Sequence, residues 1–246
     1  MGYVILLRDG TFAVIDGGHD CDADADLIWS VLKEKSRAEK PKISLWILSH
    51  AHGDHTGAFV RFASKYADKT ELGALCANDA RVFTPVNNEK QRTGNEALKK
   101  FTGALRLAPQ TGDRITVGGV EFEFLYTCAD YYPATPGCLN DTAMVFRVSA
   151  EKSALFLTDI QTDAAAFLAG MYGERLKSDI VQLAHHGYAN GASDSVYGFV
   201  SADVCLWPSS YSLYENYKNK GPAAAAAKSA KQVYLAADGT VSIPLD

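Results

Sequence analysis

The chain has 246 residues, 47% of them hydrophobic, and a formal net charge of -5. That length can bury one large or two small cores. The mild acidity argues against an extensive nucleic-acid surface, which would show as a basic patch, and no run of 18 apolar residues announces a membrane span. Cys21, Cys76, Cys128, Cys138 and Cys205 form no C-x-x-C pair. An odd count without that spacing argues against a disulfide framework or a cysteine zinc site, so the thiols are read as buried or idle.

The opening "MGYVILLRDG" lacks the basic, apolar and small-residue succession of a signal peptide. It begins almost inside a strand, so an upstream segment is expected to be missing. The compartment stays open, with the cytoplasm favoured. "YVILLRDGTFAVID" predicts two strands joined by an Asp9-Gly10 turn. "DADLIWSVLKEK" predicts a helix with Leu27, Ile28, Val31 and Leu32 on one face. "KISLWILS" is a continuous apolar run, suited to a strand covered on both sides. A helix from about Gly57 to Tyr66 follows. "RITVGGVEFEFLY" predicts a hairpin turning at Gly118-Gly119, and "AMVFRVSAEKSALFLTD" another turning near Ala150 to Lys152. A helix from about Thr162 to Met171 leads to the strand "DIVQLAHHG". A helix over Asp194 to Ser201, the strand "DVCLWP", a helix starting near Pro222 and the last strands "QVYLAA" and "TVSIPL" complete the chain. No repeat, linker or composition shift divides it, so a single domain over 1–246 is expected. Hairpins with covering helices predict an α/β fold of two sheets packed face to face with helices outside.

The stretch "LWILSHAHGDHTGA" places His50, His52, Asp54 and His55 within six residues, half of the chain's six histidines among them. A spacing of two puts His50 and His52 on one face of extended backbone, whereas on a helix they would diverge by about 200°. The pattern is therefore not the helical H-E-x-x-H zinc arrangement. It fits a strand end opening into a loop, with Gly53 permitting a sharp bend. Imidazole nitrogen and carboxylate oxygen are ligands of zinc and similar divalent metals.

The motif H-x-H-x-D-H, matched in full by "HAHGDH", resembles the signature of the metallo-β-lactamase fold superfamily. "ILLRDGTFAVIDGG" resembles that family's opening hairpin, with Asp16 near the metals. "SALFLTDI" resembles the strand ending in a metal-bridging aspartate, here Asp159, and "DIVQLAHHGYANGAS" the strand ending in the last histidine ligand, His185 or His186. The histidine pair followed by glycine, together with "NDTAMVFRV", is similar to the branch that includes the hydrolase domain of ComEC-like DNA-uptake proteins. The resemblance covers nearly the whole chain. It implies a four-layer αββα sandwich and two divalent metal ions, zinc first and manganese as an alternative. His50 and His52 would bind one metal, and Asp54, His55 and His185 the second, with Asp159 bridging. A metal pair about 3.5–4 Å apart brings a trapped water's pKa near 7. The resulting hydroxide would attack a phosphorus or carbonyl centre, with Asp54 also orienting the water as the catalytic carboxylate. Gly187 would let the backbone pass close beside the site.

Three departures bear on this. No histidine occurs from 56 to 184, so the family's middle histidine ligand is absent. Asn140 or Asp141 lies where it should be. An aspartate there would harden the site toward manganese or magnesium, and Asp141 is the expected ligand, with Asn140 left to substrate. Thr158 stands where the family has glycine, and "NKGP" lacks a histidine that relatives carry.

His186 is expected to contact substrate or to orient its neighbour, and His19 to be a surface loop residue. Tyr211, Tyr214 and Tyr217 recur at spacing three, which reads as packing. Tyr131 and Tyr132 sit in a long segment without periodicity, Thr127 to Leu139, where lids are found. The expected function is metal-dependent hydrolysis of a phosphodiester or phosphoester, carried by a small molecule or a short nucleic acid. The alternatives are a lactone, thioester or lactam hydrolase, or a non-catalytic module with a degraded metal site. The oligomeric state is not legible.

Overall fold

Strand β1 (Gly2–Leu6) turns at the predicted Asp9-Gly10 position and pairs antiparallel with β2 (Phe12–Asp16). The structure is a computed structural model and describes residues 1–78, 85–131 and 138–246, with the side chains of 85–88 and 131 outside the description. Tyr132, the Tyr131 side chain and the middle of the predicted lid segment therefore lie outside the described residues. After β2 the chain runs through α1 (Asp22–Lys35), β3 (Lys42–Leu48), α2 (Gly53–Tyr66), β4 (Glu71–Ala77), α3 (Pro85–Leu98) and β5 (Leu105–Leu107). There follow β6 (Arg114–Val117), β7 (Val120–Tyr126), β8 (Val145–Ser149), β9 (Ser153–Phe156), α4 (Thr162–Tyr172) and β10 (Ile180–Gln182). The last elements are α5 (Asp194–Val200), β11 (Val204–Trp207), α6 (Tyr211–Tyr217), α7 (Gly221–Ser229) and β12 (Gln232–Leu235).

The described residues cluster into two compact units, one dominated by residues 1–109 and the other by those from 121 onward. The first is built on a five-stranded sheet in the order β1-β2-β3-β4-β5, antiparallel only between β1 and β2. Its parallel strands are joined by helices, as parallel crossovers require. Ile43, Leu45, Trp46 and Ile47 of β3 are all fully buried, so the strand is covered on both sides as its unbroken apolar run predicts. The Trp46 ring meets Phe59 and Phe62 of α2 edge-on at 4.9 and 5.1 Å, an arrangement that matches ring edge to ring face.

The second unit carries a seven-stranded sheet in the order β12-β11-β10-β9-β8-β7-β6. Hairpin pairing runs through β7, β8 and β9, and parallel pairing through β9, β10, β11 and β12. Leu155, Leu157, Leu168, Val181, Leu183, Val196 and Trp207 form its core. Tyr214 packs edge-on against Trp207 at 5.0 Å and Tyr217 lies 4.8 Å from Tyr188, so two of the three tyrosines of α6 pack, whereas Tyr211 is 56% exposed. The fold is thus α/β with two mixed sheets and helices.

Several boundaries differ from the sequence pattern. Helix α2 begins at Gly53 rather than Gly57, with His52 as its extended N-cap and Asp54 in its first turn. An acidic side chain there meets the positive end of the helix dipole, and Thr56 Oγ1 donates to the His52 carbonyl at 3.0 Å. On α1 the buried residues are Ala25, Ile28 and Leu32, while Leu27 is 54% exposed. "TVSIPL" forms no strand. Pro244 cannot donate to a ladder, and the tail is tied to the β8–β9 turn by Lys152 N donating to the Leu245 carbonyl at 2.8 Å. None of the five cysteines forms a disulfide. Burial pushes Cys76 up to about 12, with Arg106 pulling weakly the other way, and raises Cys205 to about 11, so both stay protonated as the idle-thiol reading expects. No helix among the described residues is long and apolar enough to cross a membrane.

Candidate metal centre

Parallel strands present their chemistry at their carboxyl ends, and in each unit the singled-out residues sit there. In the first unit Asp16 closes β2, fully buried, at a φ of 53°. A non-glycine residue in that region costs about 1–3 kcal/mol and persists only when its surroundings fix it. Asp16 is fixed by every polar atom beyond its own amide. Its carbonyl accepts from Trp46 Nε1 at 2.9 Å, Oδ1 accepts from Ser49 N at 2.7 Å, and Oδ2 accepts from Ser49 Oγ at 2.9 Å. Oδ2 also lies 2.9 Å from His55 Nδ1, with both side chains fully buried.

These bonds settle the imidazole tautomers. A carboxylate only accepts, so His55 carries its proton on Nδ1 and its lone pair on Nε2. Ser49 gives its one hydroxyl proton to Asp16, so its oxygen accepts from His50 Nδ1 at 3.0 Å. That places the His50 lone pair on Nε2 as well. His50 Nε2 faces His52 Nδ1 at 2.9 Å, a separation at which two nitrogens share a proton or turn to a common cation. Asp54, about one-third exposed, holds Oδ2 3.7 Å from His55 Nε2. Carboxylate–histidine pairs of this kind orient metal-ligating imidazoles and raise their basicity. Replacing Asp16 with Asn, nearly isosteric but neutral and with one oxygen exchanged for a donor, is expected to weaken metal binding by about 10–100-fold while the fold persists. Titration against a competing chelator measures it, and an unchanged affinity would detach Asp16 from metal binding.

In the second unit Thr158 follows β9 at a φ of 51°, and His185 and His186 follow β10 at 48° and 54°. Gln182, fully buried in β10, bridges the two strand ends. Its Oε1 accepts from Thr158 N at 2.5 Å and its Nε2 donates to the Thr158 carbonyl at 3.2 Å, while His185 N donates to the same carbonyl at 2.8 Å. Thr158 Oγ1 adds a bond to the Met144 carbonyl at 2.9 Å. Threonine thus does by side-chain bonding what glycine would do by conformational freedom, and the next residue, Asp159, is buried and held in place. His186 Nδ1 donates to the Pro208 carbonyl at 2.8 Å, which leaves its lone pair on Nε2, and that atom stands 3.4 Å from Asp159 Oδ2. His185 points elsewhere: its Nε2 meets Asn140 Nδ2 at 2.9 Å and its ring packs 4.8 Å from Tyr188.

Asn140 and Asp141 divide their work. Asp141 accepts from Gln161 N at 3.0 Å through Oδ1, at the N-cap of α4, and from Cys138 Sγ at 3.3 Å through Oδ2. Burial raises the Cys138 pKa, which keeps that thiol a donor. Asn140 is 6% exposed, and its Oδ1 is buried with no hydrogen-bond partner among the described residues. An orphaned buried oxygen of this kind marks a position where a ligand or water is expected. His19 is 74% exposed beside Asp24, a surface residue as its loop predicts.

The donors that qualify as cation ligands are His50, His52, Asp54 and His55 in the first unit and Asp159 and His186 in the second. Imidazoles with fixed tautomers beside one buried and one partly exposed carboxylate fit a divalent cation of the zinc class. Ser49 and Gln182, which hold these donors, escape a motif search. Their only signal is a polar residue interrupting or ending an otherwise apolar strand.

A family model described as the metallo-beta-lactamase superfamily matches residues 1–75. No curated protein matches the chain. Among solved structures, the metallo-beta-lactamase fold protein YhfI from Bacillus subtilis is similar at a TM-score of 0.60 and 16% identity, covering 97% of this chain and 89% of that one. A variant of the HARLDQ-motif metallo-beta-lactamase from Cronobacter sakazakii is similar at a TM-score of 0.50 and 20% identity, over 75% of this chain and 70% of that one. At these identities the likeness concerns the fold. The chain carries the metallo-beta-lactamase fold, a fold of largely hydrolytic proteins, and its opening third matches the superfamily's own model.

Proposed function

We propose that the chain is a metal-dependent hydrolase of the ComEC-like branch, acting on a phosphodiester or phosphoester. One observation carries this reading. The protons of His50, His55 and His186 are drawn to Nδ1 by Ser49, Asp16 and Pro208, which places the lone pair on Nε2 in all three. Buried histidines that merely pack have no need of a common tautomer, whereas metal ligands do.

In this reading His50, His52, Asp54, His55 and Asp159 would be the residues that hold divalent cations, zinc first and manganese second. We assign the last histidine ligand to His186, because its Nδ1 is anchored on a backbone carbonyl. His185, paired with Asn140, is assigned to substrate. Asp141 is assigned to securing the start of α4, since both its oxygens already accept. Bound divalent cations would supply Lewis-acid activation of a water and neutralise charge on phosphoryl oxygens. The chain's own part is then to position and to move protons. Asp54, partly exposed, orients the water and takes its proton, while Asn140 Nδ2 fixes the lone pair of His185.

The middle histidine's absence leaves the site poorer in nitrogen than the family pattern, which suits a hard phosphoryl oxygen more than a thioester. Elemental analysis of protein purified without chelator, followed by a screen of generic phosphodiesters, phosphomonoesters, lactones and thioesters with the metal found, tests the proposal. About two equivalents of metal and preferred turnover of a phosphoester are expected. Faster lactone or thioester hydrolysis would overturn the substrate class, and absence of metal would make the chain a non-catalytic module.

A further inference from the structure

In the second unit a row of rings starts at His186. The His185 ring centroid lies 6.3 Å from that of His186 and 4.8 Å from that of Tyr188, and Tyr188 lies 4.8 Å from Tyr217 of α6. His185, Tyr188 and Tyr217 are each half-buried, so each keeps part of its ring surface exposed. The Tyr188 and Tyr217 planes are tilted by 60°, so the two rings do not cover one another face to face. The backbone under Tyr188 is fixed. Its N donates to the His185 carbonyl at 2.9 Å, and its carbonyl accepts from Gly191 N at 3.2 Å. Gly221, at a φ of 76°, opens α7 so close to this loop that a Cβ there would stand 2.7 Å from Ala189 Cα. The turn between α6 and α7 is thus pressed onto the residue after Tyr188, and Lys220 Nζ stands 5.8 Å from the Tyr217 centroid. A tyrosine has only two side-chain torsions, and one held in this way loses little freedom when a ligand settles on it.

Asn140 is a second, independent sign of a ligand at the inner end of the row. Its side chain is 6% exposed, its Nδ2 meets His185 Nε2 at 2.9 Å, and its Oδ1 is buried without a hydrogen-bond partner. A buried acceptor left over in this way marks a place where a donor or a water is expected. Aromatic surface and an unused acceptor therefore meet at His185, one residue from the histidine assigned to the metal.

We infer that Tyr188, braced by Tyr217, is a stacking residue for a planar aromatic group of the substrate, a nucleobase or an aryl ester, seated beside His185. The inference rests on the phosphoester reading above and deepens it. A tyrosine face stacks on any planar ring through area burial and the ring quadrupole, without reading the ring's identity. An aliphatic ester group draws no such gain. Rings that only pack α6 onto the loop would show no discrimination between the two.

The test is calorimetric titration of phenylphosphonate and methylphosphonate, whose carbon–phosphorus bonds resist hydrolysis, into the full chain as purified. Wild type is expected to bind phenylphosphonate about tenfold more tightly. Tyr188→Ala should bring that ratio to about twofold or less and Tyr188→Phe should keep it, with methylphosphonate affinity unchanged in both. In wild type, phenylphosphonate and not methylphosphonate should shift the tyrosine ring resonance that Tyr188→Phe removes, a readout that needs no alanine variant. Displacement of phenylphosphonate by adenosine more readily than by phenol assigns the ring to a nucleobase, and the reverse assigns it to an aryl ester. Equal affinity for the two phosphonates would overturn the stacking residue and leave the phosphoester reading standing, as would a preference that survives Tyr188→Ala. Binding of phenylphosphonate through Tyr188 without any binding of methylphosphonate would leave the stacking residue and sink the phosphoryl site. Binding of neither would overturn both.

Discussion

Replacing Asp159 with alanine is expected to abolish hydrolysis and to empty the protein of most of its metal. Asp159 is 2% exposed, so it cannot be substituted by a solvent-borne ligand without rearranging its surroundings. Its backbone is held by the Gln182–Thr158 amide pair and by His185 N on the Thr158 carbonyl, which fixes the carboxylate before any cation arrives. His186 Nε2 lies 3.4 Å away, so the variant keeps one donor and loses the anionic one. Loss of an orienting neighbour alone costs about 10–100-fold in metal affinity, and loss of a ligand should cost at least that. Two measurements separate this from a folding defect. Metal content should fall well below that of wild type. The rise in melting temperature on adding metal, which follows from preferential binding to the native state, should shrink in the variant, while the chelator-treated proteins melt cooperatively. Turnover at the wild-type rate would refute the bridging assignment outright.

The residues that carry this argument were unequally visible in the sequence. "HAHGDH" announces itself through composition alone, and the strand ahead of it through an unbroken apolar run. The hairpins of β1–β2 and β8–β9 are legible because their turns and apolar runs are local properties of the chain. What the pattern conceals is whatever depends on partners far away in sequence. Asp16 and Ser49 are 33 residues apart, and Gln182 and Thr158 are 24 apart. No periodicity marks such pairs. The positive φ values at Asp16, Thr158, His185 and His186 are likewise invisible, because none of these residues advertises left-handed backbone as glycine does. The choice between Asn140 and Asp141 turns on which one meets the N-cap of α4, a tertiary fact. The early start of α2 escaped because Gly53 reads as a loop residue, whereas the dipole favours Asp54 in a first helical turn. The polar helix α3 and the three-residue β5 give the pattern little to show, and β4 carries a glycine in its interior, which weakens a strand signal.

The second large effect is expected at Gly187, where the fold and the site share one constraint. Gly187 has a φ of 83°, a region that costs a residue with a Cβ about 1–2 kcal/mol. A Cβ there would also run into the Trp207 indole, whose Nε1 donates to the His186 carbonyl at 3.1 Å. Trp207 is 2% exposed in the core of the second unit, so it cannot step aside cheaply. Overpacking of that kind adds about 1–3 kcal/mol. Gly187→Ala should therefore lose about 2–5 kcal/mol in urea unfolding. It should also loosen metal binding, since the indole that would be displaced fixes the backbone of His186. Gly170 supplies the internal control. It sits exposed inside α4 with nothing within 4 Å of its would-be Cβ. Gly170→Ala should gain about 0.5–1 kcal/mol through helix propensity alone, with metal affinity unchanged. If both variants behave alike, the effect belongs to glycine removal in general. If only Gly187→Ala loses stability and metal together, the Trp207–His186 contact is what couples the core to the proposed metal-binding end of β10.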